Sequence, residues 1–413
     1  MDVNCAQYVC LDGRAYICRV SKGISLNFPE EIAMDLKECR KQIDIINSEM
    51  LKLFVRRMEI SEDVAKYKAE NGLPIFNNAR EREILGEMTS SSPEIFENYV
   101  KTFFTVVMDL SKSYQRTVLN GTTAVSEKIK SAIESTPMIF PKRAVVACQG
   151  TEGAYSQIAA DKLFGMEKII YFKSFEDVFK AVRDKICDYG VLPIENSTYG
   201  TVIDVYDLMK KYRFSIVRSQ RLKITHKLLA KKGTSLRDIR EVYSHPQAIG
   251  QCSNFFAANP EIKAVPFANT ALAAEKVKNS EGNSLAAIAS SACADLYGLD
   301  TVSDEIMNSG NNQTRFICIS SNDYIFPGAD KISIMLSLPH TPGALYNTLA
   351  KFAAIGLNLT KIESRPIEGS DFEAQFYFDF EASPYDEKIL SMLDTLSRDC
   401  ENFVFLGSYR ELN

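Results

Sequence analysis

The chain has 413 residues, 46% apolar and 24% charged, with no Trp and a formal net charge of −5; that length suits two to four domains with cores of their own. The acidic balance argues against nucleic acid and against an anionic membrane surface, so any anionic ligand must be held by local cations. No apolar run is long enough to span a bilayer, the start does not read as a signal peptide, and ten cysteines without metal-type spacing beside three histidines give no expectation of metal or cofactor and read as free thiols in a reducing cytoplasm.

Residues 1–33 show no clear period and are expected to be a poorly ordered extension, with Met34 as a candidate start. Over 34–120 everything reads as helix. Leu36, Cys39, Ile43, Ile46, Met50 and Leu53 recur at steps of three and four, the apolar seam of one long helix. It runs without Gly or Pro for about 36 residues, roughly 54 Å, too long for an ordinary core helix and suited to a helical dimer. A second helix is expected over about 77–90. A third follows, with Pro93 at its first position behind a capping serine. Ile95, Phe96, Tyr99, Val100, Phe103, Phe104, Val107 and Leu110 form its broad apolar face. Residues 121–142 read as a linker.

The seam of the first helix is broken at Arg57 and resumes at Ile60 and Val64. A buried guanidinium needs a partner. It has either an intrahelical one, such as Ser61 or Glu49 on a fraying seam, or an anion pocket inside the helical bundle. Lys68 is three turns further on and about 20° away in rotation, so both side chains lean into one groove. Ser111 and Gln115 are an i,i+4 polar pair on the third helix, and Asn77 and Glu81 another, with Arg80 beside them. Arg40 lies about 25 Å from Arg57 along the axis and about 100° round it. It is either a surface charge or a contribution to a second subunit's pocket.

From 143 to 322 short β-rich runs alternate with helical stretches, an α/β pattern with largely parallel sheet. Polar clusters stand at the strand ends, where ligands gather in such sheets: "GTEGAYS", "PIENS", "SHPQAIGQC", "NTALA" and "GNNQTRF". From 330 to 413 the order is β-α-β-β-α-β, the α+β ferredoxin-like arrangement.

The spacing from Arg40 through Arg57, Lys68, Arg80, Glu81 and Ser111 to Gln115, over about 80 residues, resembles the all-helical chorismate mutases. The resemblance implies an all-α dimer with exchanged long helices, in which Arg40 reaches the partner's site. Arg40 and Arg57 would grip the two carboxylates of chorismate, Lys68 and Gln115 would bind its ether oxygen, and Glu81 its ring hydroxyl. Arg80 and Ser111 belong to the same constellation. Asn77 stands where that family often has Asp, which implies altered affinity. A pericyclic rearrangement needs a compact conformer and preorganised donors rather than a nucleophile, which suits these residue types.

"GAYS", "PIENS", "SHPQ" and "TRF" resemble prephenate dehydratase, which implies a two-lobed, periplasmic-binding-protein-like fold with the site between the lobes. Thr314 would be the main catalytic hydroxyl. Glu195, Asn196, Ser197, Ser244 and Gln251 would position or assist, and Arg315 would hold the fold or a carboxylate. "PGAL" and "ESRP" resemble the ACT domain that follows dehydratase domains. That implies phenylalanine bound by Gly343, Ala344, Leu345, Asn358, Glu363, Ser364 and Arg365 between two domains paired side by side. The whole reads as a homodimer or higher oligomer converting chorismate to prephenate and prephenate to phenylpyruvate, inhibited by phenylalanine. Arogenate as dehydratase substrate is an alternative. A decayed amino-acid-sensing binding protein is another, against which the intact Lys68, Gln115, Glu195 and Thr314 argue.

Overall fold

The computed structural model describes residues 6–11, 14–19, 35–74, 77–119, 124–338, 340, 343–366 and 374–413. It divides into two compact units, 1–119 and 120–413. Within the region expected to be poorly ordered, β1 (Ala6–Leu11) and β2 (Arg14–Arg19) pair as an antiparallel hairpin; the rest of 1–33, and Pro342 of "PGAL", lie outside the described residues.

The first unit is helical. α1 runs from Leu36 to Glu70, α2 from Asn78 to Ser90 and α3 from Glu97 to Val118, and α3 packs on both others. Pro93 precedes a short 3-10 turn, Glu94–Phe96, rather than opening α3 itself. The row of α1 that faces α3 differs from the expected continuation of the seam. Ser61 and Ala65 are buried, Phe54, Arg57 and Lys68 half-buried, and Ile60 and Val64 exposed. Two small residues let the helices approach closely at that point, with the polar side chains one turn above and below. Leu36, Ile43, Ile46, Met50 and Leu53 are all exposed, as are Ile95 in the 3-10 turn and Tyr99 and Phe103 on α3.

The second unit opens with α4 (Ala124–Ser135), a helix where the sequence pattern reads as linker. It is held by its packing partner: the Ser126 N–H and hydroxyl both donate to Asp394, and Ile129 enters the C-terminal core. β3 (Val145–Gln149), α5 (Tyr155–Leu163), β4 (Lys168–Phe172), α6 (Phe175–Arg183), β5 (Tyr189–Asn196), the two-residue β6 (Gly200–Thr201), α7 (Ile203–Tyr212) and β7 (Ser215–Lys223) build the first lobe. Ser174 caps α6, accepting from the Asp177 N–H at 3.2 Å. The chain then crosses to a second lobe: β8 (Lys227–Ala230), β9 (Glu241–Ser244), α8 (Pro246–Gln251), α9 (Ser253–Ala258), β10 (Lys263–Pro266), α10 (Thr270–Lys278), β11 (Leu285–Ala289), α11 (Ser291–Tyr297) and β12 (Asp300–Ser303). It returns through β13 (Gln313–Ser320), which inserts antiparallel between β5 and β7. Both sheets are therefore mixed rather than largely parallel. β3 pairs parallel with β4 and β5, and β9 with β10 and β11, while the strands next to the crossings, β7, β8, β12 and β13, pair antiparallel. Each crossing reverses the direction in which the chain enters the next sheet.

The C-terminal module has β14 (Lys331–Leu338), α12 (Ala344–Ala354), β15 (Leu359–Pro366), β16 (Ala374–Glu381), α13 (Glu387–Asp399) and β17 (Glu401–Leu412). The sheet order β15-β16-β14-β17 is the expected ferredoxin-like one. β17 also runs past β14 to pair parallel with β7 through Arg410, Glu411 and Leu412, so module and first lobe share one continuous sheet. Gly407 makes this possible. Its φ is 139°, and a Cβ there would collide with the Ile216 carbonyl.

Candidate functional site

In the helical unit, α1 and α3 bring Arg57 and Ser111 together. The guanidinium donates to the Ser111 hydroxyl and, at 3.3 Å, to the Val107 carbonyl. Ser61 bonds only the carbonyl of residue 57, at 2.8 Å, so neither it nor Glu49 is the partner of the Arg57 charge. Burial lowers the pKa of Arg57; it also lowers that of Lys68, against an opposing pull from Glu81. Gln115, one turn beyond Ser111, is buried, and its carboxamide oxygen has no hydrogen-bond partner among the described residues.

Glu81 stands between two cations. Lys112 reaches it at 2.9 Å and Asp109 at 2.8 Å, and it is more deeply buried than either. Burial alone would lower the Lys112 pKa, but the two carboxylates raise it overall. Sequence reasoning missed Lys112 and Asp109, because beside Ser111 they look like ordinary helix-surface charges. Arg80 and Asn77 sit apart from this cluster. Arg80 pairs with Glu83 at 2.6 Å in solvent, and the Asn77 side chain caps α2 by accepting from the Arg80 N–H at 3.1 Å. Arg40 is exposed on the far end of α1.

In the two-lobed region the register of β5 on β13 sets Asn196 opposite Thr314 and Glu195 opposite Arg315. Because a strand alternates its faces, the two pairs look in opposite directions. On one face Asn196 Nδ2 donates to Thr314 Oγ1 and to Asn312 Oδ1, both at 2.8 Å. Asn196 Oδ1 accepts from the backbone N–H groups of Thr198 and Tyr199, which locks the amide in one orientation. Ser197 Oγ donates to the Asn311 carbonyl and accepts from the Gln313 N–H, tying the two polar loops together. Thr314 and Asn312 are both buried.

On the other face Arg315, 4% exposed in its side chain, pairs with Asp379 of β16 at 2.6 Å, with Glu195 at 3.3 Å and with Glu411 of β17 at 3.8 Å. Burial opposes the charge, but Asp379 and its neighbours hold the Arg315 pKa well above the ordinary value. Glu195 also meets Lys361 of β15 at 3.5 Å. Lys361 and Glu363 both bond the Thr201 hydroxyl, at 3.0 and 2.9 Å. Glu195 and Arg315 thus join β5 and β13 to the C-terminal module and do not share a face with Thr314. Glu363 likewise contacts the first lobe, while Ser364 and Asn358 are exposed.

The lobes meet at the "GTEGAYS" loop. The Ser290 hydroxyl donates to the Gly153 carbonyl, and Gly153 has φ 87°, with Cys293 Sγ 2.9 Å from where a Cβ would stand. Gln251 bonds His226. Ser244 is wholly buried and donates to the Ile288 carbonyl at 2.7 Å, tying β9 to β11. Asn312, His226 and Tyr155 were not singled out from sequence, although "GNNQTRF", "THKLL" and "GAYS" contain them. Gly343 caps α12, with Ala344 and Leu345 in the first turn.

Comparison with known proteins agrees with this division. The pattern of the chorismate mutase type II family matches residues 39–116, and that of prephenate dehydratase residues 146–324. A bifunctional chorismate mutase/prephenate dehydratase from Aquifex aeolicus is 30% identical over 91% of this chain and 98% of its own length. An arogenate dehydratase/prephenate dehydratase from Arabidopsis thaliana is 38% identical over 65% of this chain and 73% of its own. Among solved structures, a prephenate dehydratase from Arthrobacter aurescens in complex with L-Phe is 30% identical. It covers 64% of this chain and 89% of its own, with a TM-score of 0.59.

Proposed function

The chain belongs to the bifunctional chorismate mutase/prephenate dehydratase family, and from that premise we propose how its two sites divide the work. The enzyme rearranges chorismate to prephenate, then decarboxylates and dehydrates prephenate to phenylpyruvate, under inhibition by phenylalanine.

In the mutase site Arg57 binds a substrate carboxylate, with Ser111 orienting the guanidinium. Lys68 and the Gln115 amide donate to the ether oxygen as the C–O bond lengthens and negative charge collects there. Glu81, held by Lys112, receives the ring hydroxyl. No proton changes hands, so catalysis rests on holding the folded conformer and on a fixed field of donors. The exposed apolar seam of α1 supports a homodimer in which the partner's Arg40 grips the second carboxylate.

In the dehydratase site one observation carries the reading: Asn196 Nδ2 donates to Thr314 Oγ1. The hydroxyl oxygen is an acceptor in that bond, so its own hydrogen is left to donate to the departing ring hydroxyl. As the ring carboxylate leaves as carbon dioxide, its electron pair closes the aromatic ring and expels that hydroxyl, which takes a proton along its bond with Thr314 Oγ1 and departs as water, the threonine regaining a proton from solvent. Asn312 and Ser197 keep Asn196 in place. Phenylalanine binds at the Gly343–Leu345 turn, Asn358, Ser364 and Arg365, and acts through the buried Arg315 network on the strand that carries Thr314. Free cysteines support a reducing, cytoplasmic setting; seven are described, and no described helix is long and apolar enough to cross a membrane. Assaying purified enzyme with chorismate, prephenate and arogenate, each with and without phenylalanine, tests the scheme. Turnover of arogenate alone would replace prephenate as the substrate.

A further inference from the structure

His226 has no part in the chemistry above, yet it is 4% exposed at the place where both lobes and both crossings converge. It lies three residues beyond the end of β7, the strand whose Leu222 pairs with Thr314. Its Nε2 is 2.9 Å from Gln251 Oε1 on α8. A carboxamide oxygen can only accept, so Nε2 carries the hydrogen and Nδ1 is the acceptor. On that side the Tyr155 hydroxyl, from the "GAYS" turn of the first lobe, lies 3.4 Å away and donates to the Thr225 carbonyl at 2.8 Å. The His226 N–H meets Met307 Sδ, and the Gln251 carbonyl accepts from the Asn308 N–H, both residues belonging to the return crossing. The Gln251 amide nitrogen, in contrast, makes no hydrogen bond among the described residues and is not sealed from solvent.

We propose that His226 is a positioning residue of the dehydratase: its Nε2–H holds the Gln251 carboxamide oxygen, so that the amide NH2 faces the cleft as a donor to a substrate carboxylate. This rests on the reading that Gln251 touches substrate. A free glutamine amide can turn over and present its oxygen, which would repel a carboxylate. The imidazole removes that alternative, because its fixed donor matches only one orientation. The edge of the Tyr155 ring packs against the imidazole, with centroids 5.8 Å apart, and the His226 N–H on Met307 holds its backbone, so the donor is aimed when the lobes are together.

The test compares His226→Asn, His226→Gln, Gln251→Ala and the His226→Asn, Gln251→Ala double variant in the full-length enzyme. Asparagine is too short to reach Gln251, whereas a glutamine amide nitrogen falls near the Nε2 position. Readouts are kcat and KM for prephenate, with chorismate turnover and thermal melting alongside. His226→Asn is expected to raise KM roughly 10-fold with kcat within a few-fold, the scale of one hydrogen bond to a charged group. His226→Gln should recover most of that KM, and the double variant should be no worse than Gln251→Ala alone. If both His226 variants melt earlier but keep the wild-type KM while Gln251→Ala raises it, His226 is only a core residue and the proposal is overturned. Equal KM increases in the Asn and Gln variants, or effects that multiply in the double variant, overturn it too. An unchanged KM in Gln251→Ala overturns the assignment of Gln251 itself, and the proposal with it.

Discussion

Along α1, Leu36, Ile43, Ile46, Met50 and Leu53 stand in solvent, whereas seven of the eight residues of β13 are buried. The helical unit carries an exposed apolar row on α1 and gathers its cations on the helix faces around Arg57. The two-lobed unit buries most of its central strands, β5, β7 and β13, and gathers neutral amides and hydroxyls at strand ends. The contrast follows the chemistry. A rearrangement without proton transfer needs a standing field, the role proposed for Arg57, Lys68 and, through Glu81, Lys112. A dehydration needs one hydroxyl aimed at one leaving group, which requires a bonded neutral network and a rigid sheet behind it. The charges of the second unit are displaced to the opposite face of β13, where Arg315 does structural work.

The sharpest way to break this comparison is Thr314→Val, which keeps shape and removes the hydroxyl. Phenylpyruvate formation should fall by about 10³-fold, within the range for losing an acid in the transition state, while chorismate turnover continues. Equal loss of both activities would mean one shared site. Arg57→Ala is the mirror experiment. Mutase activity should drop about 10²-fold, the scale for one electrostatic donor, and dehydratase activity should not move. Prephenate formation within a few-fold of wild type would misplace the pocket.

Asp379→Asn tests whether the charges behind β13 are structural. Removing one partner of a buried pair costs about 3 kcal/mol, so the melting of the second unit should fall while mutase kinetics stay unchanged. An Asp379→Asn protein with normal melting would mean that Glu195 and Glu411 suffice for Arg315. A truncation near Ser321 is a poorer test, because it would bare β7 and strip Asp379 and Glu411 from the buried arginine at once.

The buried His226 gives a pH signature. Burial lowers its pKa from 6.5 to about 4, opposed by its bond to Gln251. The unfolded chain therefore takes up a proton near pH 6.5 that the folded chain refuses until about pH 4. The stabilisation is complete above 6.5 and lost as pH falls toward 4, in total about 3 kcal/mol. Asp161, raised to about 7 by burial and Glu167, has the opposite slope. The quantity to measure is thus the difference between wild type and His226→Gln from pH 4 to 8; a flat difference would mean that the imidazole is hydrated. The smallest effect expected is at the effector turn. Ser364→Ala with Arg365→Ala should weaken phenylalanine binding about 10-fold in calorimetry, on the scale of 1–3 kcal/mol for allosteric coupling. Unchanged binding would move the effector elsewhere.

The order of domains was legible in the sequence, because period and turn chemistry are local: a 3.6-residue seam over α1, β-rich runs from residue 143, and a β-α-β-β-α-β ending. So was the shared groove of Arg57 and Lys68, which follows from helix geometry; Ser111 and Gln115 were legible as a polar pair on another helix, and that Ser111 meets Arg57 was decided by the packing of α3 on α1. The pairing of Asn196 with Thr314 was legible only as two polar motifs; that they touch depends on the register of β5 on β13, set by residues more than a hundred apart. The same register turned Glu195 and Arg315 away from the site. Nothing local distinguishes alternate residues of a strand until a second sheet decides which face is cleft and which is core. Packing also made α4 a helix, through Asp394, and recruited Lys112 to Glu81. Local sequence set most of the elements and the charges they carry. Which of those charges faced substrate, and which were spent joining one module to the next, was decided by long-range pairing in the tertiary structure.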